Sequence, residues 1–155
     1  MQKRLVVDLD YCIGCKSCSS ACKLTFKGEN RIIVSGVETV AYLPLACRHC
    51  EDALCLKACP KEAISKDKET GIVSRSSFKC VGCTSCIYAC PFGVLDSMLL
   101  RHIPDKCNLC KGDEDGPNCV SSCPTGALKF LTDEEITKVQ VGKQFVSRLA
   151  FWRRK

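Results

Sequence analysis

Cys80-Val-Gly-Cys83-Thr-Ser-Cys86-Ile-Tyr-Ala-Cys90-Pro91 is the stretch that decides how this chain folds. Its spacing, C-x2-C-x2-C-x3-C-P, is that of bacterial iron–sulfur ligation. Three thiolates on one short loop hold three corners of a 4Fe-4S cube, and the fourth cysteine reaches a second cluster. Such a run requires a mate, and three more are present. The first is Cys12-x2-Cys15-x2-Cys18-x3-Cys22, with Lys23 where the proline would stand. The second is Cys47-x2-Cys50-x4-Cys55-x3-Cys59-Pro60. The fourth is Cys107-x2-Cys110-x8-Cys119-x3-Cys123-Pro124, its middle gap widened by the polar loop Lys111–Asn118. Only the middle gap varies, as expected if the first and last pairs are fixed geometrically and the loop between them can bulge.

Composition agrees with a fold built around metal. Among 155 residues 16 are cysteine and only 6% are aromatic, so side-chain packing alone supplies too little core. Zinc would use two C-x2-C pairs and has no need of a third cysteine followed by a fourth at x3 with proline. Disulfides are disfavoured where thiols stay reduced. The opening Met1-Gln-Lys-Arg-Leu-Val-Val7 runs directly into the first motif, leaving no room for a signal peptide or twin-arginine leader. No apolar run approaches the roughly 18 residues of a membrane span. A cytoplasmic location is the expectation. The formal charge of +6 counts the cysteines as neutral. With sixteen thiolates and four oxidised cores it falls to roughly −2, so the basic excess offsets cluster charge and does not point to nucleic acid.

Short elements are expected between the motifs. Residues 4–9 read as a strand leading into the first, with Gly14 allowing a tight loop. Pro60, Pro91 and Pro124 each end a helical turn and release the chain. Residues 62–75 read as a β-hairpin with a polar turn. In 23–46, Arg31–Val34 and Val40–Leu45 form a second hairpin, with Phe26–Asn30 and Ser35-Gly36 as turns. Thr132-Asp-Glu-Glu135 is a capping box, and Ile136, Val139, Val146 and Leu149 recur at helical spacing up to Arg153-Arg154-Lys155. The chain thus divides into a cluster domain, 1–131, and a C-terminal helix, 132–155, for docking to another subunit or a second copy. Two pairings of the motifs are compatible with the spacing: one with four around two with three, or one with two and three with four.

Cys47-Arg-His-Cys50-Glu-Asp-Ala-Leu-Cys55-Leu-Lys-Ala-Cys59-Pro60, with the wide fourth motif and its Lys106-Cys107-Asn-Leu-Cys110 start, resembles the four-cluster ferredoxin-like electron-transfer subunits. These accompany dimethyl-sulfoxide reductase, nitrate reductase, formate dehydrogenase–hydrogenase assemblies, carbon-monoxide dehydrogenase and tungsten aldehyde oxidoreductases. The resemblance covers residues 3–131. It implies an α+β fold of two pseudo-symmetric bacterial-ferredoxin-like units, with short hairpins and helices around four clusters in a line. It also implies the nested pairing. One inner cluster would take Cys47, Cys50, Cys55 and Cys90, and the other Cys80, Cys83, Cys86 and Cys59. The outer clusters would take Cys12, Cys15, Cys18 with Cys123, and Cys107, Cys110, Cys119 with Cys22.

Other residues have smaller expected roles. His49 and His102 are spare, since the cysteines complete the ligand sets; His49 is expected to form a hydrogen bond or pack beside a cluster. Tyr11, Phe78 and Tyr88 adjoin ligands and are expected to shield clusters from water. Asp113-Glu114-Asp115 sit on a solvated loop that could serve as a docking surface. No nucleophile–base pair, phosphate loop or dinucleotide fingerprint is present, so the chain is not expected to be an enzyme itself. The expected role is a one-electron relay. It would join a catalytic oxidoreductase subunit, of molybdenum, tungsten, nickel or hydrogenase type, to a flavoprotein or ferredoxin. A free polyferredoxin and a zinc-stabilised adaptor are the alternatives.

Overall fold

Leu5, Val6 and Val7 favour extended backbone, and they form the strand that both ends of the chain share. In the computed structural model, which describes residues 3–37, 41–95, 106–139 and 144–146, β1 (Lys3–Asp8) is the middle of a three-stranded sheet. On one side it pairs antiparallel with β6 (Leu128–Thr132), from Lys3↔Thr132 to Val7↔Leu128. On the other it pairs with β7 (Gln144–Val146), from Val6↔Val146 to Asp8↔Gln144.

Two hairpins complete the strands. β2 (Ile32–Val37) pairs with β3 (Ala41–Ala46), and β4 (Ile64–Lys66) with β5 (Val73–Arg75). Both were expected, although Ser35-Gly36, read as a turn, lies inside β2, opposite Leu43 and Tyr42. Asp67 shapes the β4–β5 turn: its carboxylate accepts the N–H groups of Glu69 (2.9 Å) and Thr70 (3.0 Å).

The helices follow the prolines. α2 (Leu54–Lys57), α3 (Ser85–Tyr88) and α4 (Asn118–Ser121) are four residues each, and each stops before a Cys-Pro pair. The residue before proline is pushed out of the helical region, which ends the turn there. α1 (Ser17–Thr25) has no such stop: with Lys23 after Cys22 it runs on to 9 residues.

The C-terminal segment corrects the sequence reading. The capping box is formed, with Thr132 Oγ1 accepting the Glu135 N–H and Glu135 accepting the Thr132 N–H, and it opens α5 (Asp133–Lys138). Arg4 donates to Asp133 at 2.6 Å, tying this helix to β1. The helix does not continue through 132–155: Val139 is extended, and 144–146 form the edge strand β7. A longer helix would carry Gly142 at a cost of about 1 kcal/mol, whereas the edge of β1 offers a row of backbone partners. Leu149, Trp152 and Arg153–Lys155 lie outside the described residues. No helix among the described residues is long and apolar enough to cross a membrane.

Candidate metal centre

The four cysteine loops share one backbone feature. The residue before the second cysteine is left-handed in each: Gly14 (φ 69°), His49 (φ 45°), Gly82 (φ 69°) and Leu109 (φ 56°). Glycine adopts this conformation freely, whereas histidine and leucine must be held there by their surroundings. A second recurrence lies two residues beyond each Cys-Pro proline, where Glu62, Gly93 and Gly126 also have positive φ.

These loops bring the sulfurs together in fours, taking one cysteine of each four from a distant motif. Cys12, Cys15, Cys18 and Cys123 line one cavity, which Val34 and Pro44 of the first hairpin help to close. Tyr42 of that hairpin lies over Gly14, so close that a Cβ there would stand 2.5 Å from its ring. Cys80, Cys83, Cys86 and Cys59 line a second cavity together with Arg75. In the third group burial raises the Cys50 thiol, and the neighbouring Cys47, Cys55 and Cys90 raise it further. In the fourth, burial followed by Cys107, Cys110 and Cys22 raises Cys119. Asn118 donates to Thr25 at 3.0 Å, binding α4 to α1 and so motif four to motif one.

The same electrostatic contacts link the groups into a row. Cys18 of the first group acts on Cys119 of the fourth. Cys47 of the third acts on Cys107, whose thiol burial has pushed up to about 12. Cys55 of the third acts on Cys86 of the second.

The donor set fits an iron–sulfur cluster. All sixteen cysteines are free thiols, and several sulfurs receive the N–H bonds that stabilise thiolate ligands. Arg31 N–H donates to Cys22 Sγ and Ala63 N–H to Cys59 Sγ, both at 3.3 Å. In motifs one and three the serine two residues on, Ser17 and Ser85, lowers Cys15 and Cys83 through its hydroxyl and its N–H. Cys123 is pulled up by burial but ends below the ordinary thiol value, because the Leu128 N–H and the Thr125 hydroxyl favour its thiolate. Among the described residues no three His, Cys, Asp or Glu side chains converge as ligands of a single ion.

Buried cations accompany the sulfurs. Lys106 Nζ lies 3.6 Å from Cys55 Sγ, and although burial opposes its charge, the Cys47 and Cys55 sulfurs raise its pKa. Arg48 packs its guanidinium 4.7 Å from the centre of the Phe92 ring. Burial lowers it to about 10 against the pull of Cys50, Cys47 and Cys90. Arg31 stacks on Phe26 at 3.5 Å. Sequence reasoning saw these bases only as a net charge. The available signal was position: Arg48 and Lys106 adjoin Cys47 and Cys107 directly.

The remaining candidates divide. His49 is buried; its Nδ1 accepts the Val73 N–H at 2.9 Å and lies 4.0 Å from Cys47 Sγ, the hydrogen-bonding role expected of it. His102 lies outside the described residues. Tyr11, Phe78 and Tyr88 do not behave as shields: Tyr11 is 59% exposed, Tyr88 88%, and Phe78 fully. The rings point to solvent although the neighbouring Cys12, Cys80 and Cys90 are partly buried. Asp113, Glu114 and Asp115 are exposed, as expected of a solvated loop.

Residues 38–133 match the family model of a 4Fe-4S dicluster domain, and 9–28 that of a 4Fe-4S binding domain. The chain is 37% identical to the thiosulfate reductase electron transfer subunit PhsB of Salmonella typhi, covering 91% of this chain and 82% of that one. It is 31% identical to the electron transport protein HydN of Escherichia coli (strain K12), over 97% of this chain and 100% of the relative. It also matches AegA and UacF of Escherichia coli (strain K12) at 33% and 35% identity, but spans only 22% and 24% of their length. Against a solved active-site complex BamBC of benzoyl coenzyme A reductase it reaches a TM-score of 0.43 at 24% identity, over 88% of this chain and 84% of that one. That likeness does not establish a shared fold.

Proposed function

Because this chain belongs to the 4Fe-4S dicluster family of iron–sulfur electron-transfer proteins, we propose that it is a relay with four 4Fe-4S clusters in two pseudo-symmetric ferredoxin-like units. The ligand sets are Cys12, Cys15, Cys18 with Cys123; Cys107, Cys110, Cys119 with Cys22; Cys47, Cys50, Cys55 with Cys90; and Cys80, Cys83, Cys86 with Cys59. When bound, each cluster supplies storage for one electron. The observation that carries this reading is the convergence of Cys12, Cys15 and Cys18 with Cys123 around one cavity, and of Cys80, Cys83 and Cys86 with Cys59 around another. That grouping favours the nested pairing over the adjacent one.

The chain's own residues bind, orient and tune. The left-handed positions aim the loops, the N–H donors hold the sulfurs as thiolates, and the buried bases offset their charge. The partner is a catalytic oxidoreductase subunit, in line with relatives named as electron-transfer subunit of a thiosulfate reductase and as subunit of a formate hydrogenlyase. Its metal centre is of molybdenum, tungsten, nickel or hydrogenase type, and the complex works in the cytoplasm. The end-to-end match to HydN keeps a diffusing carrier as a second reading. Co-purification with one of those metals would decide for the complex.

Cysteine substitution tests the ligand sets. Cys86→Ser and Cys90→Ser, four residues apart on one motif, should each alter a different cluster signal in electron paramagnetic resonance (EPR). If both alter the same signal, the crossed assignment is wrong.

A further inference from the structure

The four sulfur groups are not electrostatically equal. The group of Cys47, Cys50, Cys55 and Cys90 faces two buried cations, Lys106 (9% exposed) and Arg48 (5% exposed). The group of Cys80, Cys83, Cys86 and Cys59 has one buried cation, Arg75, at its wall, beside the exposed Lys61. Among the described residues the only base lining the Cys12, Cys15, Cys18 and Cys123 cavity is Lys16, which is exposed, and the group of Cys107, Cys110, Cys119 and Cys22 has Arg31 acting on Cys22.

Lys106 is also placed between groups. Its ammonium reaches Cys55 Sγ at 3.6 Å, while the next residue along the chain is Cys107 of the neighbouring group. Its carbonyl accepts from Arg31 Nη1 at 3.5 Å, fixing the backbone against motif one's side of the molecule. The charge therefore sits where two neighbouring groups meet, with its head turned to one of them.

Resting on the ligand sets proposed above, we infer that Lys106 is a potential-setting residue that makes the cluster site of Cys47, Cys50, Cys55 and Cys90 the electron sink of the row. Reduction adds one electron and no atom to a site, so it adds one negative charge. A cation held 3.6 Å from a ligand sulfur, with little water to screen it, favours that reduced state. Arg31 acts on Cys22 of the adjoining group and Arg75 lines the Cys80 group, but the Cys47 group has two buried cations, one of which reaches its ligand sulfur. An electron entering at either end would come to rest at the third position of the row, counted from the Cys12 end.

The test is a potentiometric titration of the full-length, iron-loaded protein with dithionite and soluble mediators, followed by EPR. Cys55→Ala and Cys90→Ala first identify the signal of this site. If they alter different signals, the ligand set fails, whatever Lys106 does. If they alter the same one, that signal should have the highest potential in the unmodified protein. In Lys106→Met its reduction equilibrium constant should fall at least tenfold, about 59 mV for one electron, and Lys106→Arg should restore most of the loss. Equal shifts in the Met and Arg variants, or a shift in another signal, would overturn the inference. Should Lys106→Met fail to load iron, the order of potentials in the unmodified protein decides. A highest potential at any other site would count against the sink.

Discussion

The half of the molecule built on β1 and the half built on the β4–β5 hairpin hold the same kind of site by different means. Around β1, Leu5, Val7, Leu9, Ile32, Ala46 and Leu128 form one buried cluster that also takes in Cys18 and Cys22. Around β4–β5 the buried cluster is Ala53, Ile64 and Val73 alone, with cysteines packed at its edge. The first half has an apolar core of its own. The second has too little to offset its chain entropy and must draw its stability from bound metal.

The largest predicted effect follows from that difference. Removing iron anaerobically with a chelator should bring the amides of β4 and β5 to nearly unfolded exchange rates, while those of β1 and β6 keep measurable protection. Hydrogen exchange read by mass spectrometry checks this, and equal loss in both halves would break the contrast. Core truncation sharpens it. Ile32→Ala should cost about 2–5 kcal/mol in denaturant unfolding whether or not iron is bound. Ile64→Ala should show a cost only in the loaded protein, since without metal its half is already open.

Two glycines give a finer comparison. Gly14 and Gly82 share φ 69° and the same place in motifs one and three, but a Cβ at Gly14 meets the Tyr42 ring and one at Gly82 meets nothing. Gly82→Ala should cost about 1–2 kcal/mol for the left-handed backbone. Gly14→Ala should add about 1–3 kcal/mol of overpacking and loosen the β2–β3 hairpin; equal costs would show that Tyr42 moves aside freely.

The smallest effect is in the β4–β5 turn. The N–H of Thr70, the Lys111 ammonium and the N–H of Glu69 hold the exposed Asp67 carboxyl down to about 2, against 3.8 unperturbed. Its folded value is depressed, so its stabilisation is complete above pH about 4 and is lost as pH falls toward about 2. Asp67→Asn should lower stability slightly at neutral pH and flatten that acid slope, with exchange at Glu69 and Thr70 as the readout.

Much of this was legible in the cysteines. Their spacing located all four loops, and the polar turn before Ile72-Val73 located the hairpin between motifs two and three. The missing proline after Cys22 marked the one motif whose helix differs, and α1 is longer for that reason. Three things were not legible. The capping box at Thr132 signals where a helix starts but not where it stops, because the competitor for 144–146 is an edge of β1 more than a hundred residues away. Nearness to a ligand in sequence says nothing about where a ring points, so Tyr11, Phe78 and Tyr88 were misread. Burial of Lys106 and Arg48 among so many lysines and arginines depends on the assembled fold.

The most direct test of the account is the iron and acid-labile sulfide content of the protein purified without oxygen. Four clusters require about sixteen iron atoms and as many sulfides per chain, with no bound zinc. Zinc in place of iron, or iron sufficient for only two clusters, would contradict it.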